Sequence, residues 1–360
     1  MGPWTRQSSA VKLNFLVPKD DEESKVLSLR ANRTEITWRS SLPIYASEEF
    51  LKSESNEFGW VGGKNSEGHL RCALPYTVVR KPGFRMIRFR TGVVPLEGDL
   101  SLAEEKSFLN SVVDYFRASG ADMIIPSGNH AIFRTYPDGA AFAPYGTFIN
   151  NLEQPEEQLM AGIRKTFRQN IRKAVSAGVQ VKCGMNYLEV AYQLVAETLQ
   201  RSEVKFRSFA EFQSKIHAFR EYVRIFVAEH EGVIQGCMVA PFSSNTAYNC
   251  YAGSRSKPIL GSMHLLHWEA MRKFKDLGVK RFDFQGVRIN PEKGSKQEGI
   301  MHYKQGFGGQ LEQGYLWKFP LHSFKSIAYS VGVRMLMGGD IVDEERRRTR
   351  GNGPVQVPSH

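Results

Sequence analysis

The sequence predicts an α/β protein with mixed sheets, made of two copies of one unit in tandem. The same order of elements occurs twice along the 360 residues: a hairpin, a strand, a helix, a strand and a last long strand. Equivalent elements lie about 160 residues apart, which is the size of a domain and well above the period of a solenoid repeat. A hydrophobic content of 41% with 24% charged residues is typical of a globular protein.

The first copy begins with a hairpin around the polar turn KNSEGH. Alternating apolar residues predict its strands, and apolar residues with a helical period predict a helix from Leu102 to about Ser119. The strands, in order, are WVGG, LRCALPYTVV, FRMIRF, ADMIIP and AFAPYGTFI, with the helix between the third and the fourth.

The second copy repeats this order, with a hairpin turn at Glu231 and Gly232 and a helix from Ser262 to about Leu277. Its other strands are TAYNCYAG, RFDFQGV and LEQGYLWKFP. An insertion precedes this copy and predicts three helices, with the strand VQVKC after the first. The predicted bounds of these helices are Glu156–Ala177, Tyr187–Arg201 and Phe209–Phe219.

These elements divide the chain into four predicted segments. A lead-in covers residues 1–40 and is either weakly ordered or a first peripheral strand. The first unit covers 41–152 and the second covers 153–322. A C-terminal helix with a basic tail covers 323–360, and this helix either packs on its own domain or contacts the inner leaflet of a membrane.

The composition limits the class of partner and the compartment. A formal charge of +11 and a pI near 9.4 favour an anionic partner: nucleic acid, a phosphorylated substrate or an anionic lipid surface. No apolar run is long enough to span a membrane, and the N-terminal residues lack the apolar core of a signal peptide, so we expect a cytoplasmic protein. Four widely spaced cysteines and no ligand motif predict neither a disulfide framework nor a metal site.

The segment IRKTFRQNIRKAVSAG predicts a helix with one strongly basic face. Arg164, Arg168 and Arg172 recur every four residues, and Lys165 and Lys173 lie beside them. Guanidinium groups at this spacing suit phosphate oxygens. The alternative is a solvated basic face, but no acidic residue between positions 163 and 175 neutralises the stripe. We therefore predict a substrate-binding anion site.

A second cluster follows the strand KRFDFQGV and is the strongest catalytic candidate. Lys304 lies between Tyr303 and Phe307, just before Gly308 and Gly309. Glycines permit close approach of a ligand to the backbone, and a lysine there can hold a phosphate or stabilise a developing oxyanion. The alternative for Lys304 is a surface lysine whose apolar stem packs on the protein.

Asp283 is the acid of the same strand. It alternates with Arg281 and Gln285 on the face opposite the two phenylalanines. It either orients a lysine or an amine substrate, or pairs with Arg281 or Arg288.

Taken in order, four segments resemble the Fem-type family of peptidoglycan interpeptide-bridge aminoacyltransferases. They are FRQNIRKAVSAGVQV, YNCYAGS, LLHWEAMRKFKDLGVKRFDFQGV and GIMHYKQGFGG. In the first half, RFRTGVVPLEGD resembles the Arg-Gly-Pro segment of that family, with Val93 in place of the proline. The resemblance implies two tandem GNAT-like acyltransferase domains, which agrees with the duplication.

The resemblance also implies a reaction: transfer of an amino acid from aminoacyl-tRNA to an amine of a phosphorylated or lipid-linked peptidoglycan precursor, without cofactor, metal or covalent intermediate. It assigns Lys304 to the lysine that stabilises the transition state or holds the tRNA end. Arg168 and Arg172 match the basic helix near substrate phosphates, and Tyr251 and Asp283 match pocket positions.

Two other functions stay open at this point. Proteins of the same fold use acyl-CoA and modify the amines of sugars, lipids or exopolysaccharide precursors, and a CoA donor suits the positive charge equally well. The other alternative is a basic module that retains the fold, binds RNA or a membrane, and catalyses nothing.

Overall fold

The computed structural model describes residues 28–322, 325, 329 and 339–351. The strands of this part are β1 Arg30–Thr34, β2 Phe58–Lys64, β3 Leu70–Lys81, β4 Phe84–Phe89, β5 Val94–Pro95, β6 Met123–Ile124, β7 Ala141–Asn151, β8 Gln180–Cys183, β9 Val223–His230, β10 Val233–Pro241, β11 Thr246–Tyr248, β12 Tyr251–Ser254, β13 Arg281–Asp283, β14 Val287–Arg288 and β15 Gln310–Pro320. The α-helices are α1 Glu48–Glu54, α2 Leu102–Ala118, α3 Glu156–Gly162, α4 Lys165–Ser176, α5 Leu188–Gln200, α6 Phe209–His217, α7 Ser262–Asp276, α8 Lys296–Gln305 and α9 Ile341–Gly351.

Most strands belong to one 11-stranded mixed sheet. Its order is β1-β2-β3-β4-β6-β15-β7-β13-β11, with β14 also paired to β7 and β5 to β3. The pairs β4 with β6 and β11 with β13 are parallel, and a helix, α2 or α7, makes each crossover. The mixed α/β class is thereby confirmed, and each half contains the same strand, helix, strand unit.

The two halves exchange their last strands. β15 closes the second half of the chain, yet it pairs with β6 of the first half through Phe319 and Ile124. β7 closes the first half, yet it pairs with β13 of the second through Ile149 and Asp283. β7 and β15 also pair with each other along most of their length. The large sheet is therefore continuous across the predicted division at residues 152 and 153.

The smaller sheet has four strands in the order β12-β10-β9-β8. The sequence predicts TAYNCYAG as one strand, and this prediction is wrong. Asn249 N–H donates to Asp283 O at 2.8 Å in the large sheet, whereas Cys250 N–H donates to Val239 O at 3.1 Å in the small one. Adjacent residues thus bond to different sheets, and the strand divides into β11 and β12.

The predicted helix over residues 156–177 is also divided. Ile163 and Arg164 have extended ψ angles of 135° and 137° and separate α3 from α4. The side chain of Ile163 is buried, and Arg164 N–H donates to Gly306 O at 2.9 Å. A contact with a distant part of the chain therefore outweighs local helix propensity. Gly178 ends α4 with a φ of +80°, as its position predicts.

Three large clusters of buried apolar side chains hold these layers together. The first lies under α2, the second between α5, α6 and the small sheet, and the third between α4, α7, β13 and the turn after α8. The helical periods that predict α2, α5, α6 and α7 mark these buried faces, and the observed bounds agree with the predicted ones to within a few residues.

Part of the predicted terminal segments lies outside the described residues. Of the lead-in, residues 28–40 are described, and β1 there pairs with β2 at the edge of the large sheet. Within the predicted C-terminal segment 323–360, the stretch FKSIAYSVGVRMLM lies outside the described residues, apart from Lys325 and Tyr329. Among the helices in the described ranges, none is long and apolar enough to cross a membrane.

Candidate functional site

Asp283 ends β13 and is nearly buried, with 9% of its surface exposed. Its Oδ1 accepts hydrogen bonds from Thr147 Oγ1 at 2.5 Å and from Gln285 N–H at 2.6 Å. Burial raises the pKa of its carboxyl, although these two donors and the Lys304 charge act in the opposite direction. Arg281 pairs with Glu312 and Arg288 with Glu344 and Glu345, so the predicted pairing of Asp283 with either arginine is wrong.

A cavity of about 440 Å³ opens in front of Asp283. Both halves of the chain contribute to its wall. The first half supplies Thr91 to Pro95, His130 and Thr147, and the second half supplies Asp283, Arg281 and Glu312 among others. We call it the Asp283 cavity. The segment TGVVP, part of the resemblance noted in the sequence, therefore faces the acid of the second half.

A second cavity, of about 480 Å³, lies on the other side of Arg281 and Glu312. It shares Ile149, Arg281 and Glu312 with the Asp283 cavity, and the ion pair between the last two, 2.5 Å long, stands where the cavities meet. Most of its remaining wall is amide or backbone, and it includes Gly162 and Gly308. We call it the Gly308 cavity. Two cavities that meet at a common wall suit two substrates.

Lys304 lies on the last turn of α8, shortly before Gly308 and Gly309. Its Nζ donates to Gln285 O and, at 2.7 Å, to Gly286 O, the carbonyls that follow Asp283. Burial lowers the pKa of Lys304 to about 8, while the Asp283 charge acts to raise it. Lys304 lines neither of the two cavities. An ammonium group has three donors, so one N–H remains beyond the two carbonyl contacts.

Tyr303 and Phe307 belong to an aromatic cluster behind Lys304. Phe307 is fully buried and stacks on Phe284 with ring centroids 5.1 Å apart. Tyr303 Oη lies 3.2 Å from His267 Nδ1, and burial raises the pKa of its hydroxyl. The structure therefore places Phe307 in the core and Tyr303 against it, and both support the site from behind.

His267 organises that cluster and was not singled out from the sequence as a site residue. Nδ1 lies 2.7 Å from Met263 O and Nε2 lies 3.1 Å from Asn249 Nδ2. A carbonyl accepts and an amide NH₂ donates, which assigns the proton to Nδ1. Burial lowers the pKa of His267 to about 4, so the ring is neutral at pH 7. In the described ranges, no group of three metal-ligating side chains could hold a metal ion.

Gly308 and Gly309 carry the chain from α8 into β15. Gly308 has a φ of +79°, and a Cβ atom there would lie 2.5 Å from Gly162 O at the end of α3. A Cβ at Gly309 would lie 2.9 Å from Asn150 Oδ1. The close approach that these glycines permit is thus to the protein's own backbone and side chains, while Gly308 also lines a cavity.

The basic stripe is only partly available to a ligand. Arg164 precedes α4 and lies over the Phe167 ring, and Arg168 donates to Ala161 O and Ile163 O, each at 2.7 Å, at the end of α3. Arg172 is exposed, as are Lys165 and Lys173. These three are the residues of α4 that present unshared positive charge.

Tyr251 lies apart from Lys304. It packs on Phe206 and Phe212, in the hydrophobic cluster between α5, α6 and the small sheet, and burial raises the pKa of its hydroxyl. The structure therefore brings Lys304, Asp283, Tyr303, Phe307 and the glycines together and leaves Tyr251 in a neighbouring layer.

Sequence reasoning missed Thr147, Asn249 and His130. Thr147 is 136 residues from the carboxylate that it bonds. Asn249 lies where the two sheets diverge. His130 lines the Asp283 cavity, stacks on Tyr45 at 4.0 Å, and has a pKa that burial lowers to about 3. No local pattern marks these positions, although Asn249 falls within the quoted segment YNCYAGS.

Comparison with known proteins finds a match in the second half of the chain. Residues 161–305 match the family model of the acetyltransferase (GNAT) domain. This stretch therefore resembles a GNAT acetyltransferase domain. It contains Asp283, Lys304 and α4, and with the equivalent unit of the first half it gives the chain two tandem GNAT-like domains.

Solved structures show the same fold at low sequence identity. FemX is 14% identical, with a TM-score of 0.56 over 76% of this chain and 90% of FemX. The C-terminal domain of a putative lysylphosphatidylglycerol synthetase from Agrobacterium fabrum is 13% identical, with a TM-score of 0.50 over 81% of this chain and 93% of that domain. No curated protein matches the sequence.

Proposed function

We propose that the protein is an N-acyltransferase of the Fem type, which transfers an amino acid from aminoacyl-tRNA to an amine of a peptidoglycan precursor in the cytoplasm. The observation that carries this proposal is the Asp283 cavity, a space that both GNAT-like halves line and that contains one nearly buried carboxylate. An acceptor ammonium is a substrate group that such a carboxylate binds, and the resemblance to the Fem-type family implies an amine acceptor.

Asp283 would bind the acceptor and take its first proton. An alkyl ammonium is not nucleophilic until it loses a proton, and a carboxylate with a raised pKa is a better matched base than an ordinary one. Both observed hydrogen bonds of Asp283 go to Oδ1, which leaves Oδ2 for the ligand. The neutral nitrogen then attacks the ester carbonyl of the donor, the ester C–O bond breaks, and the second proton goes to the ribose oxygen that leaves.

Lys304 would stabilise the negative charge that develops on the carbonyl oxygen. Two of its donors hold Gln285 O and Gly286 O, and the third is the candidate oxyanion donor, although Lys304 lines neither cavity, so the ester carbonyl would have to approach it past the Gln285–Gly286 segment. At a pKa of about 8 it is mostly charged at pH 7. Aminolysis of an activated ester needs positioning and charge stabilisation more than a nucleophilic side chain. Asp283 and Lys304 are side chains of the types that this reaction needs.

The donor would be held along α4. Arg172, Lys165 and Lys173 present positive charge suited to a nucleic-acid backbone. The second structural relative is named as a putative lysylphosphatidylglycerol synthetase, and synthesis of that product joins a lysyl group to an anionic lipid. Such a reaction is an aminoacyl transfer. Its acceptor differs from a cell-wall amine, so the name supports the donor class and leaves the acceptor to experiment.

The test is a transfer assay with a mixture of charged tRNAs and either a nucleotide-linked or a lipid-linked peptidoglycan precursor, with products identified by mass spectrometry. We expect a precursor heavier by one aminoacyl residue, and loss of this product with Asp283→Asn. Asp276→Asn is the matched control, since Asp276 is an exposed acid at the end of α7. Absence of transfer with either precursor and every charged tRNA would contradict the proposal.

An acyl-CoA-dependent N-acyltransferase is the second candidate, because the matching domain is described as an acetyltransferase. The same assay with acetyl-CoA and amine acceptors from sugars, lipids and exopolysaccharide precursors distinguishes it. Acetyl transfer without aminoacyl transfer would favour this candidate. Binding of RNA or anionic vesicles without any turnover would favour the non-catalytic module.

A further inference from the structure

The C-terminal helix α9 is anchored on the large sheet beside the candidate site. Val342 and Glu345 are almost fully buried, at 0% and 1% exposure, and Val342 packs in one cluster with Tyr145 of β7. Lys318 of β15 forms ion pairs with Asp340 and Asp343 at the start of the helix, both at 2.7 Å. The burial of Val342 and Glu345 fixes which face of α9 meets the strand β14, while the Lys318 ion pairs hold the far end of the helix.

That face holds the chain just after Asp283. Arg288 of β14 pairs with Glu344 at 2.9 Å and with Glu345 at 2.8 Å. Arg348 donates to Ile289 O at 2.7 Å and also to Asn290 O, while its guanidinium pairs with Glu345. A planar fork that spans two backbone carbonyls fixes the orientation of both peptide groups.

The other end of the same segment is held by the candidate catalytic lysine. Lys304 donates to Gln285 O and Gly286 O, and Gln285 N–H donates to Asp283. Gln285 and Asn290 have φ angles of +54° and +50°, a region that residues other than glycine rarely adopt. Residues with this backbone conformation persist only where several contacts from the surrounding structure hold them in place. Lys304 and α9 contribute to that restraint from opposite ends of residues 285–290, together with the pairing of β14 with β7 and the hydrogen bond from Gln285 Nε2 to Tyr45 Oη.

We propose that α9 is a positioning element of the site: Arg348, with Glu345, fixes residues 285–290 so that the Gln285 and Gly286 carbonyls hold the Lys304 ammonium beside Asp283. Arg348 acts through this segment and touches no substrate. The catalytic consequence rests on the proposed function, whereas the restraint on Lys304 does not.

The restraint can be measured without a substrate. Reaction of the Lys304 amine with an amine-specific reagent, followed on its peptide by mass spectrometry across pH, gives the pKa and the accessibility of that side chain. In Arg348→Ala we expect the pKa of Lys304 to move up toward the ordinary lysine value, since a released side chain gains solvent. Once the rate is corrected for the fraction of neutral amine at each pH, Lys304 should react about tenfold faster than in the wild type. Amide hydrogen exchange at residues 285–290 should accelerate in parallel.

Two further variants separate positioning from general destabilisation. Lys318→Met removes the two ion pairs at the other end of α9 and should lower the melting temperature, yet leave Lys304 reactivity and exchange at 285–290 unchanged. Arg348→Lys keeps the charge without the planar fork and should give an intermediate effect. Wild-type reactivity of Lys304 in Arg348→Ala, or an equal change in Lys318→Met, would overturn the proposal.

Activity adds an independent readout once a substrate is established. Arg348→Ala should lower kcat with KM retained, because the groups that move act on the transition state. A chain with no aminoacyl transfer would contradict the proposed function, while the Lys304 measurements would still decide whether α9 positions the segment.

Discussion

Gly308→Ala should destabilise the protein at the turn that joins α8 to β15. The φ of +79° is unfavourable for alanine by roughly 1–2 kcal/mol. The added Cβ would also lie 2.5 Å from Gly162 O, a backbone atom that moves only if α3 or the turn shifts. Overpacking of this kind costs roughly 1–3 kcal/mol, so we expect the free energy of unfolding to fall by about 3 kcal/mol in total.

Urea denaturation followed by circular dichroism measures this loss, and Gly299→Ala is its control. Gly299 lies in α8, its backbone is helical, and a Cβ atom added there would meet no neighbouring group within 4 Å. Alanine there should raise the free energy of unfolding by about 0.5–1 kcal/mol. A loss at Gly308 below about 0.5 kcal/mol, or equal losses in the two variants, would refute the reasoning from the close approach of α3.

Three other substitutions or conditions test the charges of the structure. With Asp283→Asn, turnover measured by steady-state kinetics should fall by about 10²-fold or more, because a proton acceptor is lost. The melting temperature measured by calorimetry should stay unchanged or rise, since a buried carboxylate is removed. Lys304 has a pKa of about 8 beside the Asp283 charge and neutral His267, so its ammonium is mostly lost between pH 7 and pH 9. The ratio kcat/KM should therefore fall about tenfold over this range, and a profile that is flat to pH 10 would contradict a role for the Lys304 charge. Burial alone would raise the pKa of Glu54, but Lys215 and Arg90 hold it at about 2. Because this folded-state pKa lies below the unfolded one, the ionised carboxylate stabilises the fold by about 3 kcal/mol above pH 4.5, and this stabilisation is lost as the pH falls toward 2. The difference in the free energy of unfolding between the wild type and Glu54→Gln should therefore narrow at low pH.

Local patterns predicted the elements whose bounds depend on their own residues. The apolar period of α2 and α7 marks a face that is buried against a sheet, and the apolar runs of β3 and β4 mark strands with several consecutive buried residues. The divided elements needed information from elsewhere. The break before α4 depends on Gly306 O, and the division of TAYNCYAG depends on the two sheets that bond Asn249 and Cys250. Register between distant strands is not encoded in either segment.

The candidate site shows the same limit. Asp283, Lys304, Tyr303 and Phe307 do converge, because β13 and α8 follow each other closely along the chain and pack on one core. The sequence could not tell that Phe307 is buried or that Arg168 caps α3, since both facts depend on the path of the chain between α3 and α8. Thr147 was equally hidden, because its strand joins β13 only in three dimensions.

The exchange of last strands explains why the site needs both halves. The charged groups, Asp283 and Lys304, are in the second half, and the sequence therefore favours chemistry in that copy. Yet β7 of the first half is the neighbour of β13, and it carries Thr147, which bonds the Asp283 carboxylate. The TGVVP segment and His130 complete the wall of the same cavity. A second copy alone would keep its acid and its lysine but lose Thr147, one of the two donors to the carboxylate, and the first half's wall of the cavity in front of it, so the site as observed needs both copies.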